Sequence, residues 1–328
     1  MGGERIGYLD AMKCLGTILV IEGHVRGYGM NLGAYDSLSG LMLYSFNMPM
    51  FFFVSGFLAY KAQRYSAKKI FKQSVRKFIN LVIPAFLFVL YWALLNQDNP
   101  LDLLVNGVGR YWFTITLWEC FLIYYVVLLG VRNSLMRDIL LMVIALVGMT
   151  SLCLYGEYGP KLIDMNRLTK YFPYFVIGVF AMKYKELYKR IVSSEWLNIS
   201  AIMGFFGLLF TINYCICSAS LFHFLRDIIL RYLGLFVVVS WFTCHAELFK
   251  KDNRINKVLL NIGRKSLPIY LLQYFFLPDL PFLEGVDIIT THVISFSYSI
   301  VILLICIVFI SLLSNSFIIK KYVLGQHD

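Results

Sequence analysis

The chain alternates long apolar runs with short polar segments. Ten runs approach the twenty or so apolar residues that a helix needs to cross a bilayer. They fall at roughly 6–26, 40–60, 78–96, 112–130, 137–155, 171–184, 197–217, 226–245, 264–282 and 293–315. The sixth is short, and Pro268, Pro278 and Pro281 interrupt the ninth. The polar segments are sorted by charge. Those before the first run and after runs 2, 4, 6, 8 and 10 hold 22 Lys and Arg, whereas the alternate segments hold five: Arg110, Lys161, Arg167, Lys170 and Arg226. Basic residues concentrate in cytosolic loops. The pattern therefore predicts an all-α integral membrane protein of about ten transmembrane helices in one bundle. The same pattern predicts a single transmembrane domain over 1–328 with no appended soluble domain and both termini cytosolic.

Composition agrees with this reading. Hydrophobic residues make up 59% of the 328 positions and charged residues 15%, against about 45–50% and about 25% in soluble domains. The mean hydropathy is +0.70. A net charge of +11 would suggest nucleic acid in a soluble protein. Here the cations follow the sidedness of a bilayer, so no nucleic-acid partner is expected. The seven cysteines (Cys14, Cys120, Cys153, Cys215, Cys217, Cys244 and Cys306) all fall in apolar runs. Their odd number and setting point to small hydrophobes rather than disulfides or a metal site. The first run carries Asp10 and Lys13 and ends without an A-x-A-like cleavage site, so it is read as a retained span of a multi-pass plasma (inner) membrane protein rather than a cleaved leader. The phosphate-loop, zinc-protease, nucleophile-elbow and dinucleotide-binding patterns are absent.

A charge at the centre of a membrane helix costs about 2.5–3.5 kcal/mol on insertion scales, so each one needs a reason. At 100° per residue, Asp10, Lys13 and His24 share one stripe of the first helix. Lys13 and His24 are eleven residues apart, about 16 Å along the axis. Asp10 and Lys13 have the spacing of a pair, and so do Glu22 and Arg26 on the opposite face. This helix belongs inside the bundle or beside a water-filled cavity, with Asp10 and Lys13 toward the cytosol and His24 toward the outer boundary. His24 is either a helix-end anchor or a proton-transfer group suited to neutral pH. In "FNMPMFFFVSGF" (46–57), Pro49 disrupts the start of the second run, and Ser55-Gly56 offers a close approach to a neighbouring helix. The 61–77 loop holds seven cations (Lys61, Arg64, Lys68, Lys69, Lys72, Arg76 and Lys77) and no acid. It suits anionic headgroups or a polyanionic ligand. Trp112 sits where an aromatic belt would place it, and Glu119 lies inside the fourth run. Arg226, Asp227 and Arg231 open the eighth run, with Asp227 and Arg231 spaced to pair, and His245 closes it.

Together these segments resemble acyltransferase family 3, multi-spanning membrane enzymes that O-acylate glycans. "RIGYLDAMKCLGTILVIEGH" is similar to the family's first helix, with Lys13 where Arg is usual and His24 closing the motif. "MPMFFFVSGFLAY" resembles the F-F-x-S-G-F signature, and "VRKFINLVIPAF" resembles the basic segment leading to a Pro that opens the third helix. The family's R-x-x-R is represented there by Arg76, Lys77 and Asn80. "RYWFTITL", "YFPYFVIGVFAMKY" and "IGRKSLPIYLLQYFF" resemble later signatures, the last with Gln273 where His is common. The six segments occur in family order over most of the chain.

The resemblance implies an acyltransferase that takes acetyl-CoA, or another short acyl-CoA, as donor and a glycan or lipid-linked sugar as acceptor. His24 would be the general base or, in a variant, the nucleophile. Arg76 and Lys77 would meet the CoA phosphates, with Lys13 further in and Ser55 and Trp112 in the binding region. Asp10, Glu119, Arg231 and Gln273 would be supporting residues. Asp10 would hold Lys13, Ser55-Gly56 would pack the second helix against the first, and a group from another helix would orient His24. No metal is expected. A transporter of a lipid-linked sugar is the competing class, but the matched broken helices expected of one are not seen. A catalytically inactive relative that binds a synthase partner is a further alternative.

Overall fold

A computed structural model describes residues 6–33, 38–60, 66–95, 109–155, 165–211, 220–280 and 288–325; Lys61, Arg64, Lys161, Cys215, Cys217 and Pro281 lie outside them. The described residues are mostly helical, with no strand among them. They fall into two compact units: one formed by Met1–Val54 and Tyr184–Phe309, the other by Ser55–Lys183 and Ile310–Asp328. The helices are α1 (Gly7–His24), α2 (Leu38–Ala59), α3 (Ala67–Leu95), α4 (Trp112–Gly130), α5 (Ser134–Tyr155), α6 (Met165–Lys183), α7 (Lys185–Val192), α8 (Glu195–Thr211), α9 (Ser220–Cys244), α10 (Arg254–Arg264), α11 (Ser266–Leu272) and α12 (Ile288–Leu313).

Six of these helices are long and apolar enough to cross a membrane: α2, α3, α4, α5, α9 and α12. The pair α7–α8, bent by 64°, would add a seventh if it acts as one broken span. Their outer faces carry apolar stripes at helical spacing. Leu122, Val126 and Leu129 on α4, and Val293, Val301, Leu304, Val308 and Leu312 on α12, are exposed. Such surface belongs against hydrocarbon rather than water. α1 falls outside this set because its 18 residues include Asp10, Lys13 and Glu22, and α11 because seven residues rise only about 10 Å.

In the first unit, α1 packs closely along α10. A Cβ at Gly263 would stand 1.8 Å from the Asp10 carbonyl oxygen, so the two backbones touch where only hydrogen fits. Gly16 plays the same part toward α2, where a Cβ would meet the Met50 and Phe51 side chains. Leu41 and Phe46 of α2 form a core cluster with Phe205 and Leu209 of α8 and Leu230 of α9. In the second unit, Lys183 at the end of α6 reaches the Asp138 carboxylate and the Ser134 hydroxyl of α5.

Three details correct the sequence reading. The segment containing Lys68, Lys69, Lys72, Arg76 and Lys77 is helical from Ala67, not a loop. Ser66 supplies the start: its hydroxyl accepts from the Lys69 amide at 3.4 Å, in the manner of an N-cap. Pro49 and Pro84 lie inside α2 and α3 rather than at their starts, as membrane helices allow when neighbours satisfy the freed carbonyl. The Ser55-Gly56 step does make a close helix contact, but with α6 rather than α1. A Cβ at Gly56 would lie 1.9 Å from the Phe175 carbonyl oxygen.

Candidate functional site

His24 is the last α-helical residue of α1, and the chain continues as a π-helical turn over Val25–Gly29. Wide turns of this kind recur at functional sites. The Met30 amide closes the turn on the Val25 carbonyl at 3.1 Å, and Asn31 follows at a positive φ of 54°. The imidazole is half-buried in a tyrosine pocket. Its ring centroid lies 4.8 Å from Tyr274, 5.7 Å from Tyr28 and 6.4 Å from Tyr270. Tyr274 Oη lies 3.1 Å from His24 Nε2. Tyr274 belongs to the 3₁₀ turn Gln273–Phe275 that ends α11, so the group that touches His24 does come from another element. The turn is held near α1 by the Leu280 amide, which donates to the Gly29 carbonyl at 2.7 Å.

The opposite face of the same turn carries a second polar group. Arg26 is only 2% exposed and Glu22 only 7%, and His292 of α12 lies against both. Arg26 Nη1 is 2.9 Å from His292 Nδ1 and 3.0 Å from Nε2. His292 Nδ1 is 3.4 Å from Glu22 Oε1, which also accepts from the Ser295 hydroxyl at 3.4 Å. The expected Glu22–Arg26 face is therefore bridged by a histidine that sequence spacing does not reveal.

Asp10 and Lys13 pair at 2.6 Å at the other end of α1. Arg264 joins them, its Nε 3.4 Å from the second Asp10 oxygen. Two cations share one carboxylate, leaving a net positive end. Arg264 remains 45% exposed. Gly263 sets this geometry by seating α10 on the Asp10 backbone. Gln273, on the turn with Tyr274, is completely buried, and its Nε2 donates to the Tyr270 carbonyl at 3.1 Å. Arg231 is half-buried on α9. Asp227 pairs with its neighbour Arg226 at 3.0 Å, not with Arg231: the adjacent guanidinium, buried to 7% exposure, takes the carboxylate first.

The remaining sequence-derived residues lie in the second unit. Arg76 is exposed on α3, and Lys77 sits over the Phe121 ring at 4.1 Å. Glu119 is buried on α4 at 6% exposure. Trp112 opens α4; Tyr171 stacks on it at 5.3 Å, and the Arg167 guanidinium lies over its ring at 4.7 Å. Ser55 is half-buried beside the Gly56 contact.

Tyr274, His292 and Arg264 are the residues that sequence reasoning missed. Tyr274 and Arg264 stand within the segment 262–276 that was singled out, and the "QYF" that follows α11 was the available signal for the first. His292, an ionisable group at the head of the most apolar helix, was the signal for the second polar group.

A half-buried imidazole that contacts a tyrosine hydroxyl and has a buried salt-linked cluster behind it can accept and return a proton. Against known families, the chain matches the model of the acyltransferase domain, acyltransferase family 3, over residues 6–313. Neither a curated protein nor a solved structure gives a significant match.

Proposed function

The chain belongs to acyltransferase family 3, and from that premise we propose that it is a membrane O-acyltransferase moving a short acyl group, acetyl in the simplest case, from cytosolic acyl-CoA to a hydroxyl of a cell-surface or lipid-linked glycan. The observation that carries the reading is the Tyr274–His24 contact at the α-to-π transition of α1, which holds a candidate base in a defined direction. The proposal includes ten spans, both termini in the cytosol, and residence in the plasma (inner) membrane.

In this mechanism the acceptor hydroxyl approaches the imidazole that Tyr274 orients. The imidazole removes its proton as the oxygen attacks the thioester carbonyl. The carbon–sulfur bond breaks, and the CoA thiolate leaves with the proton that His24 returns. An acyl-His24 intermediate is the variant of the same step. Lys13 and Arg264 support the donor side: they share Asp10, and the excess positive charge suits the phosphates of CoA. Arg76 and Lys77 offer further cations in the other unit.

The test is incorporation of label from [14C]acetyl-CoA into glycan in membranes that carry the protein. Label above that of membranes lacking the protein is expected; equal incorporation overturns acetyl transfer.

A further inference from the structure

We propose that His292 is a positioning residue, which sets the direction of His24 by clamping α1 on both sides of it; this rests on the acyltransferase reading above. His292 belongs to α12, a helix with no acidic or basic residue apart from this imidazole. A titratable group there is costly unless it is paired. It is paired twice, with Glu22 and with Arg26, each two residues from His24 in sequence.

Arg26 can only donate and the Glu22 carboxylate can only accept, whereas an imidazole can do both. Arg26 Nη1 approaches both ring nitrogens, at 2.9 Å from Nδ1 and 3.0 Å from Nε2, and Nδ1 lies 3.4 Å from Glu22 Oε1. One ring therefore spans the acid and the base, and Ser295 ties the Glu22 carboxylate to the same helix.

The clamp has a mechanical consequence. Glu22 lies in the last α-helical turn and Arg26 in the π-helical turn, so one ring on α12 grips the chain on both sides of the change in winding. A slip of one residue there would rotate His24 by about 100°, away from Tyr274. The clamp acts through Glu22 and Arg26, not on substrate.

The test compares His292→Leu with His292→Gln, because a carboxamide retains one donor and one acceptor. Acetyl transfer is measured in membranes at equal protein level, with thermal unfolding followed in detergent. H292L is expected to lower kcat at least tenfold with the KM for acetyl-CoA unchanged within twofold, and H292Q to recover at least a third of the wild-type rate. Full kcat in H292L, or an H292Q as impaired as H292L, overturns the clamp. If H292L does not fold, Ser295→Ala takes its place; a drop in kcat of twofold or more is expected, and no change overturns the proposal. His24→Ala is run alongside. An inactive H24A with a fully active H292L removes only the clamp, whereas a fully active H24A removes both this inference and the role given to His24.

Discussion

His24 stood out in the sequence because it shares a stripe with Lys13 in a helix that otherwise needs to be apolar. Its neighbours did not. Tyr274 and His292 are 250 and 268 residues further along the chain, and periodicity within one helix says nothing about which distant element packs against it. Tyrosine is also a weak signal here, as one of 22. The Tyr274 contact leads to a direct expectation. Tyr274→Phe keeps the ring packing and removes one hydrogen bond, about 0.5–1.5 kcal/mol, so the acetyl-transfer rate should fall about two- to twelvefold. An unchanged rate would mean that the hydroxyl does not orient His24. At the far end of α1, Lys13 and Arg264 share Asp10. Arg264→Ala should raise the KM for acetyl-CoA severalfold with little change in kcat. If kcat falls and KM holds, the donor site lies elsewhere.

Helices were legible where apolar runs were long. α2, α4, α5, α9 and α12 all lie on runs read from the sequence. Edges are less legible, because hydropathy does not separate a polar helical turn from a loop. The Ala67 start of α3 is marked by Ser66, and the Arg254 start of α10 by Asn253, whose side chain accepts from the Asn256 amide. Both are cap signals that hydropathy alone passes over. The partner of the Ser55-Gly56 step was illegible for a different reason: a small residue announces a close approach, not its target. Two glycines can be tested at this scale. Gly263→Ala and Gly56→Ala each drive a methyl into a backbone carbonyl, at 1.8 and 1.9 Å, which requires the helices to separate. Each should cost about 1–3 kcal/mol and lower the unfolding temperature in detergent, whereas Gly130→Ala, which meets nothing within 4 Å, should not. For Gly263 the loss should also raise the KM for acetyl-CoA, since that contact places Arg264 beside Asp10.

For the molecule as a whole, the charge sorting of the loops carries information that no single helix holds. Six helices, or seven with the bent pair, are apolar enough to span. α1, α6 and α11 fall short because they carry polar groups or a break. Of these, α1 supplies His24 and Lys13, and α11 ends in the turn with Tyr274. The helices that look least like membrane spans thus include the ones that hold the candidate site, as expected where polar residues are retained for chemistry. Reporter fusions at each terminus should both report the cytosol, and a C-terminal reporter found outside would contradict the ten-span order. The central claim is that His24 handles the proton of an acyl transfer. Its most direct measurement is the initial rate of [14C]acetyl transfer from acetyl-CoA to glycan in membranes containing wild-type protein or His24→Ala at equal level. Loss of a general base costs about 10²–10⁴-fold, so the variant should transfer label at no more than about a hundredth of the wild-type rate. A variant that transfers label at the wild-type rate would contradict the account.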